Sequence, residues 1–291
     1  RRVVENEASL LFERHIPQDE WGNFLMDHGI RRPTERHKHV SNWMDLYNAF
    51  EFDYDEKFHA DRYIGNIVCN WIENWDKFKP LFLQIGFTGP HEPYNPPKRY
   101  LDMYNDIEVP DAVFSEDEIS KKPPQHLELR EHFRTTLTAE SKIDIAKAKK
   151  EDIERMRKHY YANITMIDDW IGKILDTLDK KGMLNNSVVV FVSDHGDNLG
   201  DHKMSYKWLM YDTITHVPLI IKDFRNAENN EKRIVSDLVS AIDIGPTILD
   251  YAEIDKASCL EGNSLLGHMN GSGVNHKYKY VFSEDNYLIM I

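Results

Sequence analysis

The densest group of reactive side chains lies between Ser193 and His216. Asp194 and His195 are adjacent, Gly196 follows, and Asp201, His202, Lys207, Tyr211, Asp212 and His216 complete the stretch. A carboxylate oxygen and an imidazole nitrogen are both ligand types for a divalent cation. Neighbours on a helix diverge by about 100°, but neighbours in a loop can converge on one ion. Gly196 lets the backbone turn away beneath them. Alone, an Asp-His-Gly triplet equally describes a helix-capping Asp beside a hydrogen-bonded His. The groups that follow favour the ligand reading, because a strand edge carrying Asp, two His and a Lys is costly to desolvate unless the charges pair or bind something. Lys207 suits a non-planar oxyanion, as a compact point charge. A second centre is His91, in the proline-stiffened loop Gly89-Pro90-His91-Glu92-Pro93-Tyr94-Asn95-Pro96-Pro97.

Both centres sit where the flanking pattern predicts strand ends. Val188-Val189-Val190-Phe191-Val192 is a continuous β-branched and aromatic run, the pattern of a strand covered on both faces in a parallel sheet. Leu81 to Thr88 reads the same way before the His91 loop, and Val217 to Ile221 forms a third run, with Pro218 at its start. Ligands gather at the carboxyl ends of strands in such sheets. Ile64, Ile67, Val68, Trp71, Ile72 and Trp75 predict a helix from Asp61, closed by Pro80. A longer helix is expected from Asp152 to Lys181, its stripe formed by Ile153, Met156, Tyr160, Ile164, Ile167, Ile171, Ile174, Leu175 and Leu178, with Gly182 as the stop. Asp168 and Asp169 on it diverge, so they belong to a solvated face rather than a catalytic pair. Asp243 is placed as the cap of a further helix with Pro246 in its first turn. The order predicts an α/β fold with a largely parallel sheet. Residues Asp102 to Lys150 form a long charged excursion of the kind that is often functional, here a wall of the substrate pocket.

Hydrophobic content of 41% and charged content of 29% are those of a globular domain with a sizeable core. The net charge of −13, from 36 Lys and Arg against 49 Asp and Glu, argues against nucleic acid as a partner. No apolar run reaches the roughly eighteen residues that a membrane span needs. Cys69 and Cys259 have no zinc-type spacing and read as small core residues. The basic patches Arg31-Arg32 and Arg36-His37-Lys38 read as solvated surface. The start at Arg1 resembles neither an initiator nor a signal peptide and is read as the start of a fragment. Sequons at Asn163, Asn185 and Asn270 carry weight only in a secretory compartment, and Asn163 falls within the long predicted helix.

The stretch VVVFVSDHGDNLGDHKMSYKWLMYDTITHVPLIIK resembles the second metal-binding motif of sulfatases and of phosphonate monoester hydrolases, members of the alkaline phosphatase superfamily. GFTGPHEPYNPPKRY, IDDWIGKILDTLDKKGML and AIDIGPTILDYAEI resemble further segments of the same enzymes, so the likeness runs from about Asp61 to Leu265 outside the excursion. It implies an alkaline-phosphatase-like sandwich. Residues 1–252 would form the α/β core, lacking its N-terminal strands, and 253–291 the start of a smaller C-terminal subdomain. By the same resemblance Asp194 and His195 are two metal ligands, where many sulfatases have Asn in place of His195. Lys207 contacts the transferred group and the leaving oxygen; His91 binds the sulfate or donates a proton to the leaving group. His202 is either a substrate contact or a support to one, and His216 a support behind the ligands. Calcium is the implied metal, with manganese as the alternative because imidazole is softer than calcium prefers.

The implied activity is hydrolysis of a small-molecule or saccharide sulfate ester. The alternatives are a phosphonate or phosphate ester hydrolase and an inactive binding fragment. Family habit favours the periplasm or secretion, with the cytoplasm as the alternative, and the residues themselves do not choose. One departure is large: Cys69-Asn70-Trp71-Ile72-Glu73 and Cys259-Leu260-Glu261-Gly262-Asn263 do not match the Cys-x-Pro-x-Arg motif that becomes formylglycine. The nucleophile and two further metal-binding aspartates are therefore expected upstream of Arg1, and the 291-residue chain alone is expected to be inactive.

Overall fold

A computed structural model describes residues 18–32, 45–135, 144–207, 209–225, 232–271, 278–285 and 288–290. The segment Arg1–Glu5 and the patch Arg36-His37-Lys38 lie outside the described residues. Helix α1 (Gln18–Asp27) packs Leu25 with Phe52 and Phe58. Helix α2 (Ala60–Asn74) begins at His59, whose Nδ1 accepts the Asp61 amide, and buries Val68 and Ile72 as the spacing predicts. Helix α3 (Pro124–Thr135) lies in the excursion, with short single turns around it.

Helix α4 (Lys150–Lys180) is the spine of the molecule. Its N-terminus is closed by Asp152, which accepts the Lys149 amide. At its C-terminus Gly182 takes φ 69°. There Met183 N–H donates to Leu178 O and Gly182 N–H to Asp179 O, a Schellman closure. The buried stripe is Met156, Ala162, Met166, Ile167, Trp170 and Ile174, while Ile164 of the expected stripe is exposed. The shift follows from α2, where Gly65 meets the Trp170 indole so closely that a Cβ would lie 2.5 Å from its Cε3. A glycine on one helix admits the largest side chain of the other, and that contact sets the rotation of α4. Asp168 and Asp169 are both exposed, and Asp169 accepts the Tyr100 hydroxyl at 2.7 Å.

Strands β1 (Val188–Val192) and β2 (Leu219–Asp223) run antiparallel, Val188 opposite Asp223 and Val192 opposite Leu219. The expectation of parallel neighbours fails at this pair. Residues 193–218 hold only single helical turns, so the chain folds straight back instead of crossing over on a long helix. Residues 81–88 are extended but form no ladder among the described residues; Leu83, Ile85 and Phe87 pack on the α2–α4 cluster and the opposite face stands open. Phe82 and Ile220 are each 60% exposed, so the two-sided cover anticipated for these strands is not supplied by the described residues.

Helix α5 (Ile244–Tyr251) follows Asp243. The Asp243 carboxylate does not cap this helix. It turns back to the Ser240 amide and outward to Asn263 N–H and the Tyr278 hydroxyl. Chain beyond residue 253 is thus hydrogen-bonded to the core, Leu265 N–H donating to Thr247 Oγ1 as well. Strands β3 (Ser283–Asp285) and β4 (Leu288–Met290) form a small antiparallel pair near the end. Among the described residues no helix is long and apolar enough to cross a membrane.

Candidate active site

The His91 loop is fixed at its origin by Asp61, in the first turn of α2. Asp61 Oδ1 accepts Thr88 N–H at 2.8 Å, Thr88 Oγ1–H at 3.0 Å and Gly89 N–H at 3.0 Å. A Cβ at Gly89 would lie 2.3 Å from Asp61 Oδ2, so only glycine allows this approach. His91 follows between two cis prolyl bonds, Gly89–Pro90 and Glu92–Pro93. Its side chain is 49% exposed, and Nδ1 lies 3.0 Å from Glu92 O and 3.1 Å from Glu92 Oε2. Those acceptors place the proton on Nδ1 and leave Nε2 as the nitrogen free to work. The loop then zips onto residues 48–52: Tyr94 N–H donates to Asn48 O and Phe52 N–H to Pro96 O.

The second loop leaves β1 at Ser193, whose hydroxyl donates to His195 O. His195 N–H donates to Asp194 Oδ1 at 2.9 Å, and His195 Nδ1 lies 2.8 Å from Gly196 O. The backbone carbonyl again holds Nδ1, which frees Nε2, the tautomer that metal-binding histidines show. Nε2 stands 3.6 Å from Asp194 Oδ2. Two donors about 2.3 Å from one ion and about 90° apart would be separated by about 3.3 Å, so the pair fits one cation with little adjustment. Asp194 is 86% exposed, open to an ion from outside. Two donors are a partial set: among the described residues no three His, Cys, Asp or Glu side chains form a metal-binding group. Gly196 is forced by close approach, since a Cβ would lie 1.8 Å from Thr213 O.

Beyond Gly196 the loop is tied internally. Asp197 Oδ1 accepts Leu199 N–H and Tyr206 N–H, and Asn198 donates to Tyr206 O through both its amide and Nδ2. Lys207 follows, half-buried, and makes no hydrogen bond or ion pair among the described residues. Asp201 anchors the outer turn, accepting Arg157 Nη2 at 2.7 Å and Val113 N–H at 2.6 Å.

The structure thus holds Asp194, His195 and Lys207 in one tied loop and His91 in a second loop joined to it. His202 is engaged with the excursion. His202 Nδ1 lies 2.7 Å from Glu118 Oε1, and its ring stacks on Tyr211 at 3.8 Å, facing a cleft shared with Lys122, His126 and Arg130 of the excursion. Burial opposes ionisation of Glu118, but His202, Tyr211 and Lys122 outweigh it and hold the carboxyl below its usual range. His216 is exposed, and its ring makes no hydrogen bond among the described residues. Sequence reasoning missed Asp61, Tyr94, Asp197 and the Arg157–Asp201 pair. The neighbouring Gly196 was the sole local signal for Asp197 and a place at a helix start the sole one for Asp61, while Thr88 and Gly89 for Asp61 and Tyr94 for Asp197 are distant in sequence.

Comparison with known proteins decides the family. The family model for sulfatases matches residues 21–254. The chain belongs to the sulfatase family. It is 34% identical over 215 residues to an arylsulfatase of Clostridium perfringens, covering 73% of this chain and 42% of that one. It is 28% identical over 232 residues to a choline-sulfatase of Rhizobium meliloti, covering 78% and 42%. A phosphonate monoester hydrolase of Agrobacterium radiobacter shares the fold with TM-score 0.75 at 23% identity, over 92% of this chain and 54% of that one. The fold is therefore the α/β architecture of the alkaline phosphatase superfamily. The chain spans less than half the length of these two sulfatases.

Proposed function

We propose that the whole protein carrying this chain hydrolyses sulfate esters of small molecules or saccharides with the help of a divalent cation. The observation that carries the reading is the Asp194 Oδ2–His195 Nε2 pair, 3.6 Å apart in the same loop as Lys207. An arylsulfatase and a choline-sulfatase among the relatives support sulfuryl esters as the substrate class. Asp194 and His195 would hold two positions on calcium, or on manganese, which accepts imidazole more readily. When bound, such a cation supplies Lewis acidity toward the ester oxygens. Lys207 sets its ammonium against the negative charge that grows on the leaving oxygen. His91, as an imidazolium whose Nδ1–H is held by Glu92 and whose Nε2 carries the second proton, passes that second proton to the leaving oxygen as the sulfur–oxygen bond breaks. Neither cysteine supplies the nucleophile: Cys69 sits within α2, packed on the Tyr100 and Val68 clusters, and Cys259 lacks the motif. Attack is assigned to a formylglycine outside this chain, so residues 1–291 alone should show no turnover.

The second reading is a phosphonate or phosphate ester hydrolase, favoured by His at position 195 and by the structural likeness to a phosphonate monoester hydrolase. Kinetics of the whole protein on matched aryl sulfate and aryl phosphonate esters separate the two by the larger kcat/KM. Asp194→Ala in the whole protein should abolish manganese or calcium binding and turnover together. Unchanged turnover in that variant would remove the site assignment.

A further inference from the structure

Three separate pieces of backbone and side chain end on one carboxylate. Asp197 Oδ1 accepts Leu199 N–H at 2.9 Å and Tyr206 N–H at 3.0 Å, while Oδ2 accepts the Tyr94 hydroxyl at 2.8 Å. The first two bonds close the loop from Asp197 to Tyr206, which delivers Lys207 as its next residue. The third reaches into the other loop, three residues past His91. Tyr94 is fully buried, and its ring is braced edge-on by Tyr160 of α4 at 5.8 Å. Burial raises the Asp197 pKa and the three donors oppose that rise. A carboxylate in such surroundings is tolerated only because its donors are in place.

We infer that Asp197, acting with Tyr94, is the positioning residue that fixes His91 relative to Lys207. It touches no reacting atom, and the inference rests on the proposed roles of His91 and Lys207 at the leaving oxygen. Its consequence is specific. A displaced proton donor costs most where the leaving oxygen is most basic, and least where the leaving group departs as a stable phenolate. A displacement near 1 Å costs about 100-fold.

The test uses the whole protein and a series of aryl sulfates. Tyr94→Phe should lower kcat/KM about 100-fold on phenyl sulfate but under about fivefold on 4-nitrophenyl sulfate, chiefly through kcat. Asp197→Asn should do the same, and the double variant should lose no more than Asp197→Asn alone. An equal fall across the series, or no fall, overturns the positioning role. A second measurement does not depend on turnover. In amide hydrogen exchange Tyr94→Phe should loosen residues 89–97 while Leu199 and Tyr206 stay protected, and Asp197→Asn should loosen both loops. Unchanged exchange at 89–97 in both variants overturns the link even if no ester is hydrolysed. Wild-type protein with no turnover of sulfate or phosphonate esters sinks the proposed function instead, and exchange then decides the link by itself.

Discussion

Arg157 offers the sharpest test of how the Lys207 loop is held. Its side chain is 6% exposed and donates to Leu199 O at 3.0 Å, Pro110 O at 2.8 Å, Asp111 O at 3.3 Å and Asp201 Oδ1 at 2.7 Å. Asp201 is itself only 14% exposed. Arg157→Met keeps the volume and removes the charge, so Asp201 keeps only the Val113 amide as a donor among the described residues and three carbonyls lose a partner. Breaking a buried pair from one side costs about 3–5 kcal/mol. The residual exposure of Asp201 lets water reach it, which points to the lower end, about 3 kcal/mol. With an m-value of about 3 kcal/mol/M, the urea midpoint should fall by about 1 M. Because the penalty comes from the orphaned carboxylate, adding Asp201→Leu should restore at least half of the loss. A midpoint shift below about 0.3 M for Arg157→Met, or a double variant weaker than the single one, would refute the reasoning.

Gly196→Ala forces a Cβ to 1.8 Å from Thr213 O, so the loop must move. Manganese affinity of the whole protein should drop at least about tenfold, read by titration, with a lower melting temperature. His59 is buried and kept neutral by that burial, against the opposite pull of Asp61 and Glu56, so its folded pKa lies below the ordinary 6.5. Its contribution is fully present above pH 6.5 and is lost as pH falls through the lower folded value. His59→Asn keeps a helix cap, so it should flatten the decline of the urea midpoint as pH falls below about 6.5. The open faces bearing Phe82, Phe191, Val192 and Ile220 should make residues 1–291 bind the dye ANS more strongly than the whole protein does. Equal dye fluorescence would show that these faces are covered some other way.

Much of the frame was legible because it depends on local pattern. The Ile64-to-Ile72 spacing and the Gly182 stop specify α2 and the end of α4 through caps and amphipathic faces, which need no knowledge of distant partners. The Asp-His-Gly loop after β1 was legible for the same reason, and Gly196 proved necessary for the approach to Thr213. The contact of His202 with Glu118 was not legible, because more than eighty residues of sequence separate the two. Tyr94 and Asp197 were missed for that reason too: the hydrogen bond between them spans 103 residues.

The strands show the same boundary more strictly. Hydrophobicity without alternation signals that a strand is covered on both sides, but it carries no sign for the direction of its neighbour. Direction is set by the connection, and the 193–218 connection is spent on building the loop that holds Asp194, His195 and Lys207. A long crossover helix there would have allowed a parallel neighbour while displacing those side chains. The antiparallel return of β2 therefore follows from the demands of the site. It also explains why the Tyr94–Asp197 bond matters: a loop without a helix to stiffen it takes its rigidity from side-chain acceptors, Asp197, Asn198 and Asp201 among them.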